Sequence, residues 1–213
     1  MPNGSQKKPS SPLIIPGKAS GVMSLADMEE IIHIAKKYQV PRIKITSAKR
    51  LAFSGAKEKD RESIKDHIDR YFHVGARGTT GYVIACQERN SCKHACFSLD
   101  ALTADIESLF NNLLSPAKLK IGISSCPRNC CASFTKDIGL FANLSGWTLV
   151  FGGNAGAKPR IADIIIEGLS DSEVFSVVEK CLNYYLKNAK KGERTARFVE
   201  RAGIESLKKA ILS

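Results

Sequence analysis

Apolar residues recur every three or four positions in several segments of the chain, which predicts amphipathic helices. Helices are expected over residues 25–38, 64–72, 99–113 and 170–185, and again from 193 onward with a break at Gly203. Ser24 with Asp27, and Ser170 with Glu173, resemble the capping boxes that open helices.

Shorter segments between these helices have the patterns of strands. Residues 42–46 and 118–124 alternate polar and apolar side chains, as half-buried strands do, and residues 82–85 and 147–151 are short apolar runs. In the segment 118–124, alternation places Lys118, Lys120 and Gly122 on one face. A glycine-rich stretch, residues 152–156, follows the last of these strands.

The order of these elements predicts an α+β protein with two parts. Residues 1–11 are polar and are expected to form a disordered tail, residues 12–75 a first compact unit, and residues 76–213 a second. The tail lacks the apolar segment of a secretory signal, and no run of 18 apolar residues predicts a membrane span.

The composition limits the kinds of partner and the cellular compartment that we expect for this protein. The net charge is +11, but Lys and Arg are spread along the chain without a helix-turn-helix or zinc-finger pattern, so we expect no nucleic-acid partner. A polyanionic cofactor or an acidic electron donor would use the same charge. Seven cysteines without an export signal disfavour a disulfide framework and indicate a reducing cytoplasm.

Four cysteines form two close pairs, Cys86 with Cys92 and Cys126 with Cys130. Four thiolates that converge from two loops are typical ligands of an iron-sulfur cluster. A structural zinc site prefers the tighter Cys-x2-Cys spacing, so the pattern favours a cluster over zinc. Separate buried cysteines are the alternative, because free cysteine is often buried.

Several segments together resemble the siroheme-containing sulfite and nitrite reductase family, most closely its small single-repeat sulfite reductases. The resemblance runs from about residue 12 to the C-terminus, and the segments occur in the family order. They are ACQERNSC, KLKIGISSCPRNC, DIGL, GWTLVFGGNAGAKPRI and RFVERAGIESL. The fold that the resemblance implies is a ferredoxin-like half-domain followed by a siroheme and iron-sulfur domain.

The resemblance implies two cofactors. All four paired cysteines would ligate a 4Fe-4S cluster, and Cys130 would also bridge to the siroheme iron. Siroheme carries several carboxylates, which are costly to bury unpaired. The candidates for binding them are cationic side chains and backbone amides near the motif loops, namely Arg77, Lys158 and Arg160 with Gly152, Gly153 and Asn154. Cys131, next to Cys130, is expected to be a packing residue, and Cys96 and Cys181 to lie in helices in the core.

The resemblance also implies the reaction, which is the six-electron reduction of sulfite to sulfide. Lys118 and Lys120 match substrate-binding lysines of the family. A further cation comes, in the family, from the segment that matches residues 45–55, where Lys49 or Arg50 could serve although the family arginine does not align.

Alternative functions remain open from the sequence. Nitrite is a small anion reduced at the same kind of centre, so nitrite reduction is the nearest alternative. A non-catalytic electron carrier with the cluster alone, and a siroheme-binding protein without reductase activity, are the others. The expected partners are a small oxyanion and an acidic donor such as ferredoxin or flavodoxin, and a homodimer could rebuild the paired repeats of larger relatives.

Overall fold

The computed structural model describes residues 11–72, 81–86, 92–111 and 113–212. The chain divides into two compact units, residues 1–75 and 76–213.

The first unit is built on a three-stranded antiparallel sheet with the order β1-β3-β2. Its elements are β1 (Leu13–Ile14), α1 (Leu25–Lys37), β2 (Arg42–Ile45), β3 (Leu51–Ser54), a 3-10 turn (Glu58–Asp60) and α2 (Arg61–Tyr71). Ser24 caps α1 in a capping box with Asp27, as the sequence predicts. The core forms where the apolar faces of both helices meet the sheet, at Ile15, Ile31, Ile34, Phe53, Ile64 and Ile68.

Strand β2 differs from its prediction in one respect. Its alternating sequence predicts a half-buried strand, but all four of its residues are exposed. β2 is an edge strand that pairs only with β3 in this sheet, and its apolar residues Ile43 and Ile45 remain at the surface.

The second unit contains a mixed five-stranded sheet with the order β4-β5-β6-β7-β8. β4, β5 and β6 run parallel, and β6, β7 and β8 run antiparallel. Its elements are β4 (Tyr82–Ala85), α3 (Asp100–Asn111), β5 (Lys120–Ser124), a 3-10 turn (Ser133–Thr135), β6 (Ile138–Asn143), β7 (Gly146–Phe151), β8 (Asp163–Leu169), α4 (Asp171–Asn188), α5 (Thr195–Ala202) and α6 (Ile204–Leu212).

Helices cover this sheet and complete its core. α3 packs on β4, α4 packs on β7 and β8, and α6 packs on α4. Every residue of β7 is buried, and Trp147, Phe151, Tyr185 and Phe198 are the largest fully buried side chains here. The indole N–H of Trp147 donates to Asp171 at the start of α4 (2.6 Å), which satisfies the one polar atom of that side chain. Among the described residues, no helix is both long and apolar enough to cross a membrane.

Two cysteines that the sequence assigns to the core have different surroundings. Cys181 is fully buried in α4, and burial raises the pKa of its thiol to about 12, so it is a packing residue as predicted. Cys96 is half-buried and lies before α3 rather than in a helix. The helical prediction for Cys96 is wrong, because its backbone N–H is used in a contact between loops.

Candidate functional site

The carboxyl ends of the parallel strands β4 and β5 bring the two cysteine pairs together. Cys86 directly follows β4, and its N–H donates to the carbonyl of Ile123 in β5 (2.9 Å). Its Sγ accepts the N–H of Ser125 (3.2 Å) and lies 3.4 Å from the Ser125 hydroxyl. Cys126 is the next residue and is buried. One ligand candidate from each pair therefore lies at the same edge of the sheet.

The loop that carries Cys92 is attached to the same place. The N–H of Cys96 donates to the carbonyl of Ser125 (2.8 Å), and a turn between Cys92 and Ala95 (3.2 Å) leads up to it. Residues 87–91, between Cys86 and Cys92, lie outside the described residues. The hydrogen bond from Cys96 fixes the first cysteine loop to the residue before Cys126.

Neighbouring cysteines in the second loop point in opposite directions. Asn129 (φ 51°) and Ala132 (φ 53°) have left-handed backbone conformations on either side of Cys130 and Cys131. Cys131 is buried and its N–H donates to the Ser124 hydroxyl (3.1 Å), whereas Cys130 is exposed. The loop thus presents the thiol of Cys130 outward and uses Cys131 for packing.

The side chain of Asn129 holds this loop in place. Its Oδ1 accepts the N–H of Ser133 (2.9 Å) and the hydroxyl of Ser124 (3.3 Å). Asparagine tolerates the left-handed conformation better than most residues, because its short side chain bonds locally. Asn129 therefore has a structural role in this loop.

A single metal ion and a cluster differ in what they need from the described residues. Within the part of the chain that the structure describes, no three His, Cys, Asp or Glu side chains are grouped closely enough to hold a single metal ion. A 4Fe-4S cluster is larger and takes thiolates from loops around it. Cys86 and Cys126 lie at one sheet edge, and the loop that follows Cys92 is bonded to the residue before Cys126.

Glycines on two strands let the segment after Cys130 lie flat on the sheet. A Cβ at Gly122 would come within 2.9 Å of the Cys131 carbonyl, and one at Gly139 within 2.4 Å of the Ser133 carbonyl. The hydroxyl of Ser133 donates to the carbonyls of Gly122 (3.3 Å) and Leu140 (2.9 Å). Close backbone approach is the reason for glycine at both positions.

The two predicted substrate lysines share one aromatic neighbour. The Nζ atoms of Lys118 and Lys120 lie 5.6 and 6.0 Å from the centre of the Tyr82 ring, and Tyr82 pairs with Lys120 across β4 and β5. Cation-π contacts of this length weakly orient an ammonium group. The structure thus places both lysines on one side of β5, at the end opposite to Cys126.

A buried carboxylate that the sequence did not single out fixes this lysine strand. Asp137 is fully buried and accepts hydrogen bonds from the guanidinium of Arg194, the hydroxyl of Thr195 (2.6 Å) and the N–H of Lys120 (2.8 Å). The acid thereby joins the start of α5 to β5. Its signal in the sequence is an acidic residue next to the apolar run of β6, but its partner is 57 residues away.

The cofactor-binding candidates of the glycine-rich loop already have partners inside the unit. The N–H of Gly152 donates to the Asp137 carbonyl (2.9 Å), and that of Asn154 to the Arg160 carbonyl (2.8 Å). The Arg160 guanidinium binds Asp163 (2.5 Å) and the carbonyl of Gly152 (3.0 Å).

The other candidates of this group have different positions. A Cβ at Gly153 would come within 2.4 Å of the Phe134 carbonyl, so this glycine too is required for close packing. Lys158 is exposed. Arg77 lies outside the described residues. The cofactor roles of the whole group stay predictions.

The candidates Lys49 and Arg50 lie in the first unit, in the turn between β2 and β3. Lys49 is exposed and has a left-handed backbone conformation (φ 56°). Arg50 is half-buried, and its guanidinium donates to the carbonyl of Lys18. Their role toward a substrate stays a prediction.

A comparison with protein families decides the relationship of this chain. Residues 78–213 match the family model described as the nitrite and sulphite reductase 4Fe-4S domain. The chain belongs to this family. The fold class, the family and the oxidoreductase class predicted from the sequence are thereby confirmed, as is the iron-sulfur and siroheme cofactor class.

Individual relatives extend the similarity over both units. An assimilatory-type sulfite reductase of Nitratidesulfovibrio vulgaris is 34% identical over 93% of this chain and 91% of its own length. A nitrite reductase [NAD(P)H] of Bacillus subtilis is 29% identical over 93% of this chain, but the chain spans only 25% of that protein. The structure of dissimilatory sulfite reductase I has the same fold, with a TM-score of 0.80 over 95% of this chain and 69% of the other, at 12% identity.

Proposed function

We propose that this chain catalyses the six-electron reduction of sulfite to sulfide. The observation that carries the proposal is the course of β5, which starts at Lys120, two residues after Lys118, and ends two residues before Cys126. A pair of cations suited to an oxyanion and a cysteine proposed to ligate the cluster therefore flank one strand. The 91% coverage of an assimilatory-type sulfite reductase supports the same activity.

The proposed cluster ligands are Cys86, Cys92, Cys126 and Cys130. Of the two neighbouring thiols in the second loop, only Cys130 is exposed, so it is the one proposed to be shared with the siroheme iron. When bound, the cluster and siroheme supply the electrons and the iron that takes the anion. The buried Cys126 and the serine contacts of Cys86 hold two of the ligands in fixed positions.

The lysines have two proposed tasks. Their positive charges attract and orient the oxyanion, and they stabilise negative charge that develops as its oxygen atoms leave. As donors of protons, ammonium groups can also deliver hydrogen to those oxygens, which depart as water. The contact with Tyr82 and the hydrogen bond from Lys120 N–H to Asp137 keep the two side chains on one face of β5.

Nitrite is the second candidate substrate. Several NAD(P)H-dependent nitrite reductases match 93% of this chain, although the chain spans a quarter or less of the bacterial proteins of this kind. We further propose an acidic electron donor such as ferredoxin or flavodoxin, in a reducing cytoplasm, because the chain is basic and has seven cysteines.

Turnover of the two anions with one artificial donor tests the proposal. Protein with bound iron, sulfide and siroheme is reduced with a viologen dye, and consumption of sulfite and of nitrite is compared. We expect a higher kcat/KM for sulfite than for nitrite. Lys118→Met and Lys120→Met, which keep the apolar stem, should keep both cofactor spectra and lose about 100-fold to 1,000-fold in turnover. If both variants reduce sulfite at the parent rate, these lysines do not belong to the substrate site.

A further inference from the structure

A third lysine, Lys136, lies beside Lys120 of β5. A Cβ at Gly122 would come within 2.9 Å of Cγ of Lys136, so the stem of Lys136 crosses the strand at that glycine. Gly122 is two residues after Lys120, and alternate residues of a strand project from the same face. Burial lowers the pKa of Lys136, and the nearby charge of Lys120 lowers it further. The ammonium groups of Lys120 and Lys136 are therefore close enough to repel each other.

The backbone holds Lys136 in this position. Its N–H donates to the Ser133 carbonyl (3.1 Å), and the next residue, Asp137, is bonded to β5 in both directions. The Asp137 N–H donates to the Lys120 carbonyl (3.0 Å), and its carboxylate accepts the Lys120 N–H (2.8 Å). Two hydrogen bonds between Lys120 and Asp137 therefore hold Lys136, the residue before Asp137, close to Lys120.

The carboxylate of Asp137, the residue after Lys136, interacts mainly with other residues. The carboxylate of Asp137 forms an ion pair with Arg194 and accepts the hydroxyl of Thr195. Cys131 and Asp137 attract the Lys136 ammonium, but these effects are smaller than those of burial and of Lys120, which lower its pKa. The carboxylate of Asp137 is thus bound mainly by Arg194 and Thr195.

We propose that Lys136 is a third substrate-binding cation, which favours sulfite over nitrite. The inference rests on the proposed function. Sulfite is pyramidal with three oxygen atoms, whereas nitrite is bent with two. Lys118, Lys120 and Lys136 can supply one ammonium donor to each oxygen of sulfite, but nitrite leaves one donor without a partner. The third ammonium therefore contributes a hydrogen bond to sulfite that nitrite does not use, which gives selectivity.

Substitution of Lys136 tests this assignment in binding and in turnover. Lys136→Met deletes the charge and keeps the stem over Gly122, and Lys136→Arg keeps the charge. Lys208→Met is the matched control, since Lys208 is also half-buried but lies on α6 and pairs with Glu205 (3.5 Å). Equilibrium dialysis with radiolabelled sulfite gives its dissociation constant without turnover, and steady-state assays with the dye donor give kcat and KM for both anions.

Lys136→Met should weaken sulfite binding about tenfold to a hundredfold, the usual effect of losing a hydrogen bond to a charged group. The KM for nitrite should rise by a smaller factor, Lys136→Arg should restore most of the sulfite affinity, and Lys208→Met should match the parent. Unchanged sulfite binding with normal cofactor spectra, or equal losses for sulfite and nitrite, would overturn the proposal.

A failure of the Lys136 assignment and a failure of the proposed sulfite reduction give different results. If Lys136→Met does not retain its cofactors, Lys136→Gln carries the same expectation, because it also removes the charge. A parent protein that binds sulfite but reduces neither anion would overturn the proposed function, while the dialysis result would still decide the role of Lys136.

Discussion

Backbone conformation at single residues decides which thiols of this protein face outward. Asn129 and Ala132 adopt left-handed conformations that place Cys130 at the surface and Cys131 in the core. Cys130 and Cys131 are adjacent in the sequence, and the backbone angles around them expose one thiol and bury the other. The earlier expectation that Cys131 is a packing residue agrees with its burial against Gly122.

Asp137 is the residue whose loss should cost the most stability around the lysine strand. Asp137→Asn removes a fully buried negative charge and leaves the guanidinium of Arg194 without its ionic partner. We expect the free energy of unfolding in urea to fall by about 2 to 3 kcal/mol, since breaking a buried ion pair is strongly destabilising.

Asp163→Asn provides the control for this substitution. Asp163 forms the same kind of pair with Arg160, but its side chain is 34% exposed. Water can replace its partner, so the loss should be about 1 kcal/mol or less. Equal losses for Asp137→Asn and Asp163→Asn would show that burial of Asp137 is not what makes it important.

At the scale of elements, periodicity predicted the segments with one buried face. The helices α1, α4, α5 and α6 and the strands β4, β5 and β7 all lie where the pattern of apolar residues predicts them. Leu119, Ile121 and Ile123 are buried, but Gly122 and Ser124 on the lysine face of β5 are buried as well. The prediction of a half-buried strand is therefore wrong beyond Lys120, because Cys131 and Lys136 cover the lysine face at Gly122.

The pattern missed strands whose surroundings erase the alternation. β6 lies between β5 and β7 and is buried along most of its length, so no polar face marks it. The pairing of β8 with β7 is irregular, with register shifts that break its alternation. The ion pair of Asp137 with Arg194 was missed for another reason, since a contact across 57 residues leaves no local signal.

At the scale of the whole molecule, the excess of positive charge should affect the electron donor more than the substrate. The net charge is +11, and an acidic donor protein would be attracted over long distances. Its association rate should therefore fall steeply as salt rises, because screening acts over about 10 Å at 0.1 M.

A stopped-flow comparison of donors checks this expectation. Reduction by ferredoxin or flavodoxin is measured from low to high ionic strength, with a neutral small dye as the control. Turnover with the dye should change much less. The same salt response with both donors would show that salt acts on substrate binding, and the proposed docking of an acidic protein would be wrong.

The central claim is that four cysteines hold the cluster and that Cys130, rather than Cys131, is shared with siroheme. The most direct measurement is the iron and acid-labile sulfide content of purified Cys130→Ser and Cys131→Ser proteins, together with their absorption spectra. Cys130→Ser should lose iron and sulfide and have altered siroheme bands, whereas Cys131→Ser should retain the parent content and spectrum. Equal loss in the two variants, or loss only in Cys131→Ser, would contradict it.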